Sequence, residues 1–557
     1  MAANAAIYLE PEAYKTSQPF LMGRHSAGES FLRGFLRYGQ VDRFRFWNID
    51  RRPHAEMNAL VEGLHPPPRP VEWIDGRARD QLESPGVVQL TGPFVGREAW
   101  QRQPFGHRRY ALCGLTHTTS SAAIQADLGQ LLLGPVEPHD ALICTSTAVR
   151  TAVEAQLEGF RDYLSWSFGP RRVPEPQLAT IPLGVNVDDF QRTDAQRKAW
   201  RDRLGISEDA TVALYVGRFS LMGKMNPGVM ALALEQAARD TGREIVWVLS
   251  GWAEDEAMAE RYHSGARALC PSVRYVTVDG REPGTRFSIW SVADFFISLS
   301  ENVQETFGLT PVEAMAAGLP SVVSDWNGYR DTVRDNVDGF RIPTMSPRPG
   351  AGADLAHRYA DRWLDYPLYV GAASQFTAVD LARAADAISV LVRHPRIARQ
   401  MGEEAQARAR SEFDWSAIIP RYQALWGELD ARRRAADPTP RPEAVRINPW
   451  RMDPFRVFAG YATAHIGPQS LVSLTSGMTA ELAAERLSNP LAAFYTVNFP
   501  SQAETARVID LLADRPRTVA DLLAAFSSDR RFYLERGLLW LAKFGVVTVN
   551  GPDAPGD

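Results

Sequence analysis

The stretch ADFFISLSENVQETFGLTPVEAMAAGLPSVVSDWNGYRDTVRDNVDGFRIPT, residues 293–344, decides the fold. Residues 295–299 form a short apolar run and 300–304 are polar, while apolar periodicity resumes only beyond Thr310, so the polar stretch reads as a loop leaving a buried strand. In open α/β sheets such loops hold ligands. Thr310-Pro311-Val312-Glu313 has the pattern of a capping box with proline at the first helical position, which predicts a helix start directly after Phe307, Gly308 and Leu309. Unpaired N–H groups there can hold phosphate. Glu305 falls in the loop and Glu313 in the first turn, so two carboxylates flank this anion site. Gly318 and Pro320 end the helix, and Ser321 opens the next strand.

Taken alone, such a pair is most often a solvated loop acid and a capping partner. Glu305-x7-Glu313, together with FGL, EAMAAGLP and a downstream DGF, however resembles the donor-site motif of family 4 retaining glycosyltransferases of the GT-B fold. The resemblance implies an α/β protein with two Rossmann-like domains facing a cleft. It also implies that Glu305 orients a donor sugar, that Glu313 holds a ribose, and that backbone N–H groups at Phe307, Gly308 and Leu309 assist.

Composition sets the frame. A chain of 557 residues is long enough for about three domains, and 45% hydrophobic with 23% charged residues is ordinary globular material. A net charge of -5 gives no general pull towards nucleic acid or anionic lipid. The N-terminus lacks a basic region followed by an apolar one, and no apolar run is long enough to span a bilayer, so the reading is cytoplasmic, with peripheral placement at the inner membrane face left open. Cys113, Cys144 and Cys270 are widely separated and read as reduced packing residues.

Residues 5–9 open the chain as a strand. A loop with Gly23 and Gly28 and a helical run from Ser30 follow, so Gly28 is expected at a helix start where backbone could approach a ligand. In the family the equivalent loop faces the donor. Strands are expected at 42–49, 71–74, 87–90, 110–117 and 141–144, interleaved with helices, the alternation of a Rossmann-like domain. His117 closes one of these strands and resembles in position the family's active-site histidine. Ser146 reads as a helix N-cap. A basic stretch, Arg97, Arg102, His107, Arg108 and Arg109, reads as a solvated face, with a phosphate-bearing acceptor or an anionic membrane surface as alternatives.

The Rossmann pattern restarts after residues 181–190, which resemble the family's crossing between domains. A strand at 211–216 is followed by Arg218 and Lys224, then by Asn226-Pro227 opening a helix. The two cations match the family's GR…K motif, in which both side chains contact the donor diphosphate. Such cations stabilise the charge that grows on a departing diphosphate. No Asp-x-Asp occurs anywhere, so no metal and no cofactor are expected, with the nucleoside-diphosphate sugar as substrate. Residues 254–256 read as a solvated helix start, 346–354 as a loop, and 381–392 as a helix.

The expected domains are 1–185, an N-terminal Rossmann-like acceptor domain; 186–412, a Rossmann-like donor domain; 413–435, a closing helix returning to the first; and 436–557, a linker with a mainly α extension. In that extension, helices at 502–513, 519–526 and 531–544 and a strand at 546–549 resemble a winged-helix domain. Its mixed charge makes a docking or homo-oligomer role a safer expectation than nucleic acid. The catalytic set that the resemblance implies is His117, Arg218, Lys224 and Glu305, in a retaining hexosyltransferase acting on an unidentified glycan, lipid-linked or protein acceptor. A phosphorylase on the same site, or a regulatory sugar-nucleotide-binding protein, are the alternatives.

Overall fold

The computed structural model describes residues 3–14, 23–169, 175–282, 284–439, 441–442, 447–492 and 499–550. The chain forms two compact units, Met1–Asn448 and Pro449–Asp557.

The first unit contains two parallel sheets. One is built from β1 (Ala6–Leu9), β2 (Phe44–Asn48), β3 (Val71–Asp75), β4 (Val87–Gln89), β5 (Ala111–Leu115), β6 (Ala141–Cys144) and β7 (Gln177–Thr180), in the order β3-β2-β1-β4-β5-β6-β7. The other holds β8 (Thr211–Val216), β9 (Ile245–Gly251), β10 (Arg274–Asp279), β11 (Phe295–Ser298), β12 (Ser321–Ser324) and β13 (Gly339–Ile342), in the order β10-β9-β8-β11-β12-β13. Every pairing within both sheets is parallel. Strands such as ALCGL and IVWVLSG are buried along their whole length, as sheets covered on both faces require. These are the two Rossmann-like halves of the GT-B fold.

Strand order reverses between β1 and β4 in the first sheet and between β8 and β11 in the second. At such switch points the loops leaving the carboxyl ends of the strands part in opposite directions and leave a crevice. The helix Trp415–Ala435 returns to the first half, where Trp415 and Tyr422 pack on Phe31 and the Trp426 indole donates to Gln89 at 3.0 Å. The three cysteines are buried and free. Among the described residues no helix is long and apolar enough to cross a membrane.

Three local expectations are corrected. The helix Gly23–Tyr38 starts well before Ser30, so Gly28 lies in its second turn rather than in a loop at its start. A Cβ on Gly28 would sit 2.3 Å from the Ala13 carbonyl oxygen, so close packing on the preceding turn requires glycine there. The predicted capping box does not form: the helix spans Leu309–Ala316 with Gly308 at its N-cap and no side-chain cap. Gly308 has φ +86, and this left-handed turn starts the helix ahead of Thr310. Beyond the loop at 346–352, two unforeseen helices, Ala353–Ala360 and Tyr366–Ser374, form an excursion closed by β14 (Thr344–Met345) pairing with β15 (Ala378–Val379).

In the second unit, β16 (Leu471–Leu474) pairs antiparallel with β17 (Arg517–Thr518) and β18 (Val547–Asn550). Helices Gln502–Leu512, Val519–Ala524 and Ser528–Lys543 surround a core containing Val472, Leu538 and Leu541.

Candidate functional site

The loops leaving β8 and β11 interlock at the second switch point. The Ser300 hydroxyl donates to the Lys224 carbonyl at 3.2 Å, the Asn302 amide to the Met222 carbonyl at 2.6 Å, and the Asn226 N–H to a Glu301 carboxyl oxygen at 2.9 Å. Between them the Lys224 ammonium meets Glu305 at 2.5 Å, with about a fifth of each side chain exposed (20% and 17%).

Burial alone would drive both groups neutral. Burial pushes the Lys224 pKa down, but the adjacent Glu305 carboxylate outweighs it and holds the ammonium above its ordinary value. Burial likewise pushes Glu305 up, and Lys224 with the N–H groups of Thr306 and Gly308 outweighs it and holds the carboxyl low. Both are therefore charged. The N–H of Gly308, expected to face a phosphate, points at Glu305 instead. The Phe307 side chain is buried, its ring 6.1 Å from that of Phe413, so Phe307 offers only its backbone.

Arg218 donates to Glu254 at 2.9 Å and to the Gly223 carbonyl at 3.3 Å, so Glu254, expected to be merely solvated, is its partner. Glu313 shares a narrow hollow of about 20 Å³ with Leu309, Arg286 and Glu29, and burial outweighs Arg286 and Lys224 to raise its pKa. Lys224 and Glu305 are in contact, whereas Glu313 occupies this neighbouring hollow.

Across from this edge stands the carboxyl edge of the first sheet. His117 follows β5, and its carbonyl accepts a hydrogen bond from the Thr306 hydroxyl at 3.2 Å. Ser146 caps the helix Thr147–Phe168 by accepting from the Val149 N–H, and its hydroxyl donates to the Thr306 carbonyl at 2.7 Å. Thr306, next to Glu305, is therefore tied to both loops of the opposite half. A cavity of about 430 Å³ opens at the first switch point, lined by Glu12, Tyr14, Gly28, Phe94, His117 and Asp127 among others. Gly28 and His117 both line this cavity.

Sequence reasoning passed over Glu301, which is 6% exposed. One oxygen accepts from Asn226, and the other has no hydrogen-bond partner among the described residues. Burial pushes its pKa up to about 7. Its position in the loop after β11 was the one available signal. Among the described residues, no group of three or more His, Cys, Asp or Glu could hold a metal ion.

The sequence profile of the glycosyl transferases group 1 family matches residues 196–351, from just ahead of β8 to just beyond β14. The chain is 30% identical over 344 residues to the D-inositol 3-phosphate glycosyltransferase of Geodermatophilus obscurus, covering 56% of this chain and 72% of that protein. It is also 30% identical over 209 residues to the enzyme of the same name from Streptomyces scabiei, there covering 36% of this chain and only 44% of the relative's length. The solved structure of Anabaena HepE in complex with UDP aligns with a TM-score of 0.49 at 16% identity, over 76% of this chain and 99% of that one. With matched sequence running through the strands and loops that build the second switch point, and with a relative matched over most of its length, this chain belongs to the glycosyl transferases group 1 family.

Proposed function

We propose that the chain transfers a sugar from a nucleoside-diphosphate sugar to a hydroxyl-bearing acceptor, with retention of anomeric configuration and without a metal ion. The observation that carries this reading is the partly open Lys224–Glu305 pair at the second switch point, tied through Thr306 to the loop bearing His117. Lys224 faces the diphosphate, and Arg218 adds a second cation once drawn from Glu254. Charge grows on the diphosphate as the glycosidic bond breaks, so fixed cations favour the transition state over the ground state. Charge-assisted hydrogen bonds of this kind contribute about 1.5–3 kcal/mol each. They take the place of a divalent cation. Glu305 orients the sugar, Glu313 in its narrow hollow binds the ribose, and His117, reaching in from the acceptor domain, completes the site near the reacting centre.

Front-face displacement, in which the departing phosphate oxygen takes the acceptor proton, needs no carboxylate nucleophile, so Glu305 is left to orient the sugar while Lys224 exchanges it for the diphosphate. The inositol 3-phosphate named for the Geodermatophilus obscurus relative guides the choice of a first acceptor.

A thermal-shift panel of UDP, GDP and ADP on wild type and Glu313→Ala tests the donor site. A nucleotide at a hundredfold excess over its dissociation constant stabilises by about 2.7 kcal/mol. One nucleotide is expected to raise the wild-type Tm and to raise that of Glu313→Ala much less. Equal shifts in both proteins would remove the ribose role, and no shift with any nucleotide would overturn the donor class.

A further inference from the structure

The excursion between β14 and β15 leaves the second half and touches the first at the segment that follows His117. The Tyr359 hydroxyl accepts from the Ala122 N–H at 2.8 Å. The Tyr366 hydroxyl lies 3.1 Å from the Ser120 hydroxyl and 3.4 Å from that of Thr118, and those two hydroxyls are 3.1 Å apart. Tyr359 is itself held by Tyr369, whose ring stacks on it at 4.3 Å and 6°. The helix Tyr366–Ser374 also rests on the loop of Lys224: a Cβ on Gly371 would lie 3.0 Å from the Met222 Cα. One short helix pair therefore bridges the loop that carries the donor-side cation and the loop that leaves the acceptor-side histidine.

The loop it holds is a wall of the first-half cavity. Thr118, Ser121, Ala123 and Ile124 line the same space as His117. Ser121 caps the helix Ala122–Leu133 by accepting from the Ile124 N–H, and the Ala122 N–H, one of the free donors at that helix start, is the group Tyr359 satisfies. Tyr359 and Tyr366 thus add hydrogen bonds from the second half to a wall that its own turn and the Thr306–His117 bond also hold.

We propose that Tyr359 and Tyr366 are positioning residues that set the acceptor-side wall, making the excursion at 344–379 the part of the donor half that determines which acceptor fits. This rests on the transferase reading for its functional meaning, since the cavity is taken as the acceptor site. The contacts lie off the Lys224–Glu305 pair, so their loss leaves donor binding alone. Because the same helix rests on Met222, the wall is set only when the two halves stand together.

The test uses the full chain with Tyr359→Phe, Tyr366→Phe and the double variant, which keep the rings and remove only the hydroxyls. Amide hydrogen exchange is read by mass spectrometry over 117–124, with β5 as the internal reference. Losing hydrogen bonds of ordinary strength should speed exchange in 117–124 by roughly three- to tenfold in the double variant and leave β5 unchanged. UDP, GDP and ADP thermal shifts should match wild type. With each nucleotide's glucose conjugate as donor, transfer to a panel of free sugars and inositol 3-phosphate should fall relative to hydrolysis by water. Unchanged exchange in 117–124 would overturn the proposal, as would an unchanged ratio of transfer to hydrolysis where the wild type transfers. Faster exchange in 117–124 with no nucleotide shift in any protein, wild type included, would instead indict the donor reading while leaving the positioning contacts standing.

Discussion

Two ion pairs, one in each half of the first unit, show how the same chemistry serves different ends. Arg102 and Asp140 lie at the amino-terminal edge of the first sheet and are fully buried, both side chains at 0% exposure. Arg102 donates to both Asp140 oxygens at 2.6 and 2.8 Å and to the Tyr110 carbonyl, while Asp140 accepts from the N–H groups of Leu112 and Glu137. Lys224 and Glu305 lie at the carboxyl edge of the second sheet and retain contact with solvent. A closed pair sealed from solvent on both sides has no room to exchange a partner and can only hold structure. A partly open pair can give up one partner for an incoming anion. The first half is thus pinned beneath its ligand edge, and the second carries its charge on it.

The sharpest way to break this contrast is to remove one partner from the closed pair. Asp140→Ala leaves a guanidinium buried and unpaired, which should cost about 3–5 kcal/mol of stability in urea unfolding. A loss below 1 kcal/mol would mean the closed pair is not structural. Next, Lys224→Ala should lower kcat for donor turnover by about 10²–10³-fold, the scale for a single donor to a developing anion. Its unfolding midpoint should fall less than that of Asp140→Ala, because the freed Glu305 keeps contact with solvent and with the Thr306 and Gly308 N–H groups. A large loss of stability with turnover intact would reverse the assignments of the two pairs.

A smaller effect sharpens the view of the second sheet's carboxyl edge. In the folded chain Glu301 keeps its proton up to about 7, against an ordinary value of 4.5, so the folded state binds more protons between those values. Its contribution is fully present below pH 4.5 and is lost as pH rises through about 7. At about 1.36 kcal/mol per unit, the loss reaches roughly 3 kcal/mol. Glu301→Gln keeps an oxygen for the Asn226 N–H and removes the titration. Unfolding measured at pH 5 and pH 8 should show a smaller decline for the variant than for wild type, and equal declines would mean Glu301 is ionised throughout.

How legible the molecule is from its sequence also differs between the halves. The carboxyl edge of the second sheet is compressed into two short segments, Gly217–Lys224 and the run from Phe295 to Glu313, so spacing and motif bring its residues to notice together. The first-half cavity draws Tyr14, Gly28, Phe94, His117 and Asp127 from segments whose proximity only the sheet order creates. Local reading failed where tertiary demands took over. Gly28 looked like a loop residue because glycine is common in turns, yet it serves close packing inside a helix. The Thr310 capping pattern lost to the left-handed turn at Gly308. Tyr359 and Tyr366 carry no signature in the sequence, since their partners are a backbone N–H and two hydroxyls more than 230 residues away.

The central claim is that Lys224 exchanges Glu305 for a diphosphate. The most direct measurement is calorimetric binding of the stabilising nucleoside diphosphate to wild type and to Glu305→Gln, paired with turnover of the corresponding nucleotide sugar. Removing the competing carboxylate should leave diphosphate affinity equal or higher while turnover falls, because Lys224 is freed and the sugar loses its orienting group. A drop in diphosphate affinity as large as that of Lys224→Ala would contradict the exchange and make the pair a fixed structural unit.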